Sequence, residues 1–338
     1  MAFDVSEIER FAGLLAANAK FKLDYNNYIS NKRKLLIVEG KTDHKFIKSI
    51  QNDCVDCLVA AEVFKSNNQF RTKSSEAINC KNAIVKIITG ISHYPSPFVK
   101  YPDDLDKWDL YGLVDSDFEE FGSVRPTPRL FVTDTHDLET LLLSTDNDLL
   151  FRLKGCKIHH DDIARSYCLA YQLAIIRDEL YKKNIDIKAI NCGSRQVDFS
   201  AFIEDGRINI PKLIKYVGEN TDGVSKSKIN ENTKTFCAHK NIKKRIDTQG
   251  CWKQDKNDFS TSFPSRFWNV VNGHDILQLL MYCNKSAKSA YGDSDGYSLY
   301  RSFEFELIAV YDYSQFSKTE LCEKMNQAKL INTYYVGN

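Results

Sequence analysis

The chain has 338 residues, of which 43% are hydrophobic and 27% are charged, and its formal net charge is +1. This length suggests about two domains, and the balance is that of a soluble globular protein, which excludes a disordered chain, a collagen and a coiled coil. No run of about 20 apolar residues that could cross a membrane occurs in the sequence. The first residues carry acids where a secretory signal would carry bases, so we expect a cytoplasmic protein.

The ten cysteines are scattered along the chain, and the closest pair is Cys54 and Cys57. A zinc site would need a second pair at ligand spacing, and Cys237 with His239 does not supply one. We therefore expect reduced, mostly buried thiols in a reducing compartment.

Charge is distributed unevenly, although the net charge is close to zero. Residues 103–120 contain eight acids and one base, whereas residues 220–256 contain nine bases and four acids. The two segments indicate a metal-binding pole and an anion-binding pole. A solvated surface is the alternative for each segment, so we do not count the basic residues among the site residues.

Hydrophobic periodicity divides the first part of the chain into alternating elements. The predicted strands cover residues 34–38, 58–64, 108–114 and 130–132, and the predicted helices cover residues 6–20, 42–50, 77–91 and 136–143. Strands that alternate with helices favour a parallel sheet covered on both faces. We therefore expect an α/β domain over residues 34–145, preceded by a helical lead-in over residues 1–33.

Beyond residue 145 the pattern becomes mainly helical. The predicted helices cover residues 161–183, 212–217, 274–283 and 318–329, and the predicted strands cover residues 185–190 and 197–203. Residues 218–256 are polar and basic. We expect a second, mainly helical and partly basic domain over residues 146–338.

Carboxylates follow two of the predicted strands. Glu39 closes the first strand, and Asp115 and Asp117 close the third. Parallel strands end at the same edge of a sheet, where ligands of open α/β folds bind. Asp43, one helical turn beyond Glu39, and Glu139, near the start of a later helix, are expected to reach the same space. Because carboxylates gathered in this way repel one another, we expect them to hold Mg²⁺.

Three further polar residues have a functional and a structural interpretation. Lys41 follows the first strand and is a candidate phosphate ligand, with a solvated lysine as the alternative. His274 is a candidate general acid, with an interdomain hydrogen bond as the alternative. His136 is a candidate neighbour of the metal, although a histidine followed by Asp137 is also typical of a helix cap.

Two segments of the chain resemble a Toprim domain: LLIVEGKTD at residues 35–43 and YGLVDSD at residues 111–117. The resemblance covers about residues 34–143, and it implies metal-dependent phosphodiester chemistry. It makes Glu39 a metal ligand or general acid–base and makes Asp115 and Asp117 ligands of Mg²⁺, with Mn²⁺ as the alternative ion. Asp43 matches the second acid of OLD-type members. The chain departs from topoisomerases and primases at Glu119, where they carry a third aspartate.

Other segments resemble the compact OLD-like Toprim nucleases of bacterial defence, and in particular the Toprim effector subunits of PARIS antiphage systems. These segments are THDLE at residues 135–139, GHD at residues 273–275 and the tail at residues 316–321. The resemblance implies a toxic endonuclease that cleaves tRNA and pairs with an ABC-type ATPase. RNA is favoured over DNA as the substrate, and a homodimer is one alternative for the assembly.

The residues leave two other functions open. An Asp-x-Asp motif also holds Mn²⁺ and a nucleotide-sugar in glycosyltransferases, although that function gives Glu39 no role. A catalytically inactive Toprim scaffold that binds a protein partner is the second alternative. If the chain is a nuclease, its basic segment is expected to contact phosphates through seven side chains: Lys226, Lys228, Lys234, Lys240, Lys243, Lys244 and Arg245.

Overall fold

A computed structural model describes residues 34–60, 80–93, 109–116, 127–181, 197–220, 267–291 and 297–332. The chain divides into two compact units: the first unit runs to Asp134 and resumes at Asp312, and the second unit runs from Thr135 to Tyr311. The predicted domain boundary was residue 145, and the last described segment falls in the first unit by this division. None of the helices in these ranges has both the length and the apolar character that crossing a membrane requires.

The first unit contains a four-stranded sheet in which all pairs of strands are parallel. Its first elements are β1 (Lys34–Val38), α1 (Lys41–Ile50), β2 (Val55–Val59), α2 (Cys80–His93), β3 (Asp109–Val114) and β4 (Leu130–Val132). The strand order is β2-β1-β3-β4. A strand buried on both faces needs an uninterrupted apolar run, and residues 35–38 of β1 are all buried. The α/β prediction is confirmed for this unit.

The predicted bounds of the second strand are wrong. The strand lies at Val55–Val59, whereas the prediction placed it at residues 58–64, of which 61–64 lie outside the described residues. Its buried residues alternate with half-exposed ones, in the pattern typical of a strand with one covered face. The prediction followed the continuous apolar run instead, because it treated this strand as fully buried like β1.

Glycine at position 112 allows α2 to pack closely against β3. A Cβ atom there would lie 2.6 Å from Ile84 Cγ2 and 3.0 Å from Ile88 Cγ1, both on α2. Contacts below 3.0 Å cannot be absorbed in a close-packed interior without a shift of the helix or the strand. Gly112 therefore has a packing role in addition to its place in the Toprim-like motif.

The second unit is mainly helical in the part that the structure describes. Its elements are α3 (Leu138–Thr145), α4 (His160–Tyr181), β5 (Ile203–Glu204), β6 (Arg207–Ile208), α5 (Ile210–Asn220), α6 (Phe267–Val270), α7 (Gly273–Cys283), α8 (Lys285–Tyr291) and α9 (Tyr297–Val310). Strands β5 and β6 pair antiparallel. The predicted lead-in at residues 1–33, the predicted strand at 185–190 and the basic segment at 226–245 lie outside the described residues.

Parts of the second unit differ from the prediction. Residues 197–203 were predicted as a strand, but Phe199–Ala201 form a short 3₁₀ helix and β5 begins at Ile203. The Asp198 side chain accepts a hydrogen bond from the Ser200 N–H and thereby starts a turn, which competes with a strand. Helix α9 was not predicted, although Phe303 and Leu307 are fully buried at helical spacing.

The C-terminal helices α10 (Tyr313–Phe316) and α11 (Glu320–Gln327) belong to the first unit. The ring of Phe46 in α1 lies 5.9 Å from the ring of Tyr313 and 5.1 Å from that of Phe316, between centroids. The Leu321 N–H donates to the carboxylate of Asp134, which follows β4, at 3.1 Å. Helices at the end of the chain therefore complete the core around the sheet.

A buried ion pair joins α4 to α7 in the second unit. Arg177 donates two hydrogen bonds to Asp275, one of them from Nη2 to Oδ1 at 2.9 Å, and their side chains are 4% and 1% exposed. Such a pair is costly to desolvate, and removing one partner leaves the other charge buried without compensation.

We expect Arg177→Met to lower the free energy of unfolding by about 3–5 kcal/mol, because the Asp275 charge stays buried. The double variant Arg177→Met with Asp275→Leu should recover most of this loss, as measured by urea unfolding. Lys212→Met, which breaks the exposed pair with Glu204, is the control and should change little. A single variant as stable as the parent chain would show that the pair does not stabilise the second unit.

Candidate functional site

The order of the strands creates a topological switch point at the carboxyl edge of the sheet. From β1 the chain passes through α1 to β2 on one side, whereas β3 and β4 lie on the other side of β1. The connections that leave β1 and β3 therefore diverge, and open α/β sheets bind their ligands at such a switch point. Val38 pairs with Leu113, so the residues just beyond these two strand ends are neighbours.

Glu39 and Asp115 occupy these two strand ends. The Asp115 N–H donates a hydrogen bond to Glu39 Oε1 at 3.0 Å, and both residues are half-buried. A carboxylate has two oxygens with about four lone-pair sites, so this bond is compatible with a further ligand on the same group. The bond fixes the direction of the Glu39 side chain, as a metal ligand or a general base requires.

The turn after β3 is fixed by neighbouring elements. The Ser116 N–H donates to Thr133 Oγ1 at 3.0 Å, and the Thr133 N–H donates to the Val114 carbonyl at 3.1 Å. The Lys81 ammonium donates to the Asp115 carbonyl oxygen. These bonds hold Asp115 in a defined position at the sheet edge.

Sequence reasoning missed Lys81. This residue lies in the first turn of α2, whose N-terminus is at the carboxyl edge because the helix leads into β3. Topology could have predicted its place, because a cation at the start of a helix that connects two parallel strands lies beside the carboxyl ends of the strands. Lys81 brings a positive charge to the edge that carries Glu39 and Asp115.

Asp43 and Lys41 lie in the first turn of α1, directly after Glu39. Asp43 Oδ2 accepts a hydrogen bond from the Gly40 N–H at 2.8 Å, which is half of a capping box. Asp43 therefore has a structural role in addition to its predicted role as a ligand. Lys41 is exposed at the first helical position. The remaining predicted ligand, Asp117, lies outside the described residues.

The structure groups Glu139 with two residues of the second unit. His274 Nδ1 lies 3.2 Å from Glu304 Oε1 and 3.8 Å from Glu139 Oε1. The carboxylate side chains are 5% exposed at Glu139 and 4% at Glu304, whereas the His274 side chain is 35% exposed. Burial opposes protonation of His274, but the Glu139 charge and the Glu304 hydrogen bond outweigh it and raise the pKa of His274 well above its ordinary value.

Asp137 is a helix cap next to this group. It accepts hydrogen bonds from the Thr140 N–H at 2.8 Å and the Gly273 N–H at 2.7 Å, and it contacts His136 Nδ1 at 3.1 Å. Burial alone would raise the pKa of Asp137, but the hydrogen bond with His136 lowers it. These contacts favour the structural interpretation of the pair His136–Asp137, which begins α3.

Gly273 allows α7 to begin directly against α3. A Cβ atom at this position would lie 2.5 Å from both Asp137 Oδ1 and the Glu139 Cβ. Any larger residue would push the two helix starts apart, and His274 would move away from Glu139 with them.

Comparison with known proteins adds no family assignment. No protein-family model matches the chain, and no curated protein matches it as a relative. The resemblance to Toprim domains therefore depends on the motif residues and on the geometry of the edge where Glu39 and Asp115 lie.

Two variants of Asp43 separate its capping role from a role as a ligand. Asp43→Asn keeps an oxygen that can accept from Gly40, whereas Asp43→Ala removes the cap and should lower the free energy of unfolding by about 1 kcal/mol. Both variants remove the charge and should weaken Mg²⁺ binding by about tenfold or more, as measured by isothermal titration calorimetry. Unchanged Mg²⁺ affinity in Asp43→Asn would leave Asp43 as a cap alone.

Proposed function

We propose that this chain is a Mg²⁺-dependent nuclease of the Toprim type, which hydrolyses phosphodiester bonds of nucleic acid, with tRNA as the favoured substrate. We further propose that it acts as a toxic cytoplasmic effector in antiphage defence, with an ABC-type ATPase as its partner.

The observation that carries this proposal is the hydrogen-bonded pair of Glu39 and Asp115 at the switch point of the sheet. The two residues come from the two Toprim-like segments, which are more than 70 residues apart in the sequence. Many proteins have a glutamate or an aspartate after a strand. A pair of them joined across neighbouring parallel strands, at the place where such folds bind ligands, is a more specific arrangement.

The donor set at this edge fits a hard divalent cation. Carboxylate oxygens are the protein ligands that Mg²⁺ prefers, and it commonly uses only one or two of them together with water and phosphate oxygens. Mn²⁺ suits the same ligands and is the alternative ion. When bound, such an ion polarises a phosphoryl oxygen and lowers the pKa of a bound water.

The other polar groups at this edge orient the Glu39 carboxylate and bring a positive charge close to it. The Asp115 N–H holds the Glu39 carboxylate in one orientation, where it can hold a ligand or accept a proton from an attacking water. The Lys81 ammonium is bonded to the Asp115 carbonyl, so a positive charge lies beside the turn where a phosphate would enter. An edge fixed before the substrate arrives needs little reorganisation during the reaction.

The two alternative functions account for less of this geometry. A nucleotide-sugar transferase that uses the Asp-x-Asp motif gives no role to Glu39, although Glu39 accepts a hydrogen bond from the backbone N–H of the first residue of that motif. An inactive scaffold gives no role to Glu39 or to Asp115 at the strand ends.

We expect the full chain to cleave tRNA with Mg²⁺ and to lose this activity in EDTA. Glu39→Gln and Asp115→Asn keep the size of the side chains but remove the charges, and each should lower the cleavage rate at least 100-fold. Glu323→Gln, at an exposed position of α11, is the matched control and should cleave at the parental rate. Gel analysis of total tRNA and of plasmid DNA in parallel identifies the substrate class.

Two outcomes would contradict the proposal. Parental cleavage by Glu39→Gln would show that another residue carries the reaction. Complete absence of cleavage of both RNA and DNA by the parent chain, with and without an ABC-type ATPase, would favour the scaffold.

The basic segment supplies a separate test of nucleic-acid binding. Replacement of Lys243, Lys244 and Arg245 with Ala should weaken binding of tRNA and lower the salt dependence of the binding constant, because fewer counterions are released. Each lost contact with a duplex should change the slope of log K against log salt by about 0.9. Mg²⁺ binding should stay as it is in the parent chain. An unchanged slope would assign these residues to a solvated surface.

A further inference from the structure

We propose that Glu139, His274 and Glu304 form a binding site for a divalent transition-metal ion within the second unit. This inference does not depend on the proposed nuclease activity, and it gives Glu139 two partner ligands within the second unit.

The spacing of the donor atoms fits a metal ion. His274 Nδ1 lies 3.2 and 3.8 Å from the two carboxylate oxygens, and one ligand atom from each of the three residues lies within 4.8 Å of the others. At metal–ligand distances of about 2.1 Å, neighbouring ligands lie roughly 3.0 Å apart in an octahedron and roughly 3.4 Å apart in a tetrahedron. Small rotamer changes would therefore bring the three atoms to coordination distance.

The chemistry of the donors selects the class of metal. Histidine nitrogen and carboxylate oxygen are both ligands of zinc, and catalytic zinc sites use three protein side chains and leave a fourth position open. Ca²⁺ and Mg²⁺ prefer all-oxygen sites, whereas an imidazole favours transition metals such as Zn²⁺. The site therefore differs in kind from the carboxylate edge at Glu39 and Asp115.

This group is part of the packed interior of the second unit and is not a surface cluster of acids. The three ligands come from three helices, because Glu139 lies in α3, His274 in α7 and Glu304 in α9. Both glutamates are at least nine-tenths buried. Gly273, which a Cβ atom would force away from Glu139, holds the first two helices at the short distance that the site needs.

Two further features fit a site that is accessible to a ligand. Asp137, the other buried acid nearby, accepts hydrogen bonds from the Thr140 and Gly273 N–H groups. We therefore do not count it as a fourth ligand. His274 is 35% exposed, which gives water or a substrate access to the open position.

The competing interpretation is an ion pair in which a protonated His274 bridges the two carboxylates. A metal ion would take the place of the proton on Nδ1, so the two arrangements share their geometry but differ in metal affinity. Metal binding therefore decides between them.

The experiment is a titration of the EDTA-treated full chain with Zn²⁺, followed by calorimetry and by elemental analysis after dialysis. We expect the parent chain and Glu39→Gln to bind this Zn²⁺ equally, since Glu39 is not one of the three proposed ligands. His274→Ala and Glu304→Gln should weaken binding by about 100-fold or remove it. His159→Ala, which removes an exposed histidine of the same unit, is the matched control and should bind as the parent does.

Cysteine thiols bind Zn²⁺ equally in all of these variants. Only the difference in bound Zn²⁺ between the variants therefore measures binding at the proposed site. Glu139→Gln keeps the shape of the side chain. It is used as the test variant if another variant does not give the parental circular dichroism spectrum and is therefore misfolded. Zn²⁺ should also raise the unfolding midpoint of the parent chain but not of His274→Ala. Equal Zn²⁺ binding by the parent, His274→Ala and Glu304→Gln would overturn the proposal and leave the group as an ion pair, as would the absence of Zn²⁺ binding in the parent.

Discussion

The parallel pairing of β1 with β3 is the constraint on which the candidate site depends. Glu39 reaches the Asp115 N–H because Val38 pairs with Leu113, and a shift of one residue would separate them. In a strand with only one buried face, the alternation of side chains specifies the register. Residues 35–38 of β1 are buried on both faces, so alternation specifies little here. Close packing of α2 on β3 at Gly112 fixes the position of that helix on the sheet, beside the strand end that carries Asp115.

The sequence predicted strands most accurately where all residues of the strand are buried. The continuous apolar runs predicted β1 and β4 correctly, and the carboxylate after each buried strand predicted that Glu39 and Asp115 share an edge. The half-buried strand β2 was predicted a few residues too late, because its alternating pattern is weaker than the apolar run that follows it. Lys81 was missed because its place at the edge depends on the path of the whole connection between β2 and β3, which no local pattern contains.

Sequence patterns could not predict contacts between distant parts of the chain. Periodicity predicted a helix near residues 318–329, but it could not show that this segment packs with α1 around Phe46. The prediction assigned it to the C-terminal domain because that domain is contiguous in sequence. Helix α9 was not predicted at all, and the relation of Glu304 to Glu139 and His274 could not be found without it. The association of these three residues is a property of helix packing, and their spacing in the sequence does not indicate it.

The two groups of carboxylates differ in how their negative charges are stabilised. Glu39 and Asp115 are half-buried beside Lys81, so water can still solvate their charges and exchange with a ligand. Glu139 and Glu304 are almost completely buried, and a buried charge must have a permanent partner because the loss of hydration is so costly. A half-exposed edge therefore suits an ion that is held weakly and shared with a phosphate group. A buried group closed by His274 suits a cation that stays in place, and for that reason the affinity for metal is expected to be higher in the second unit than at the edge of the sheet.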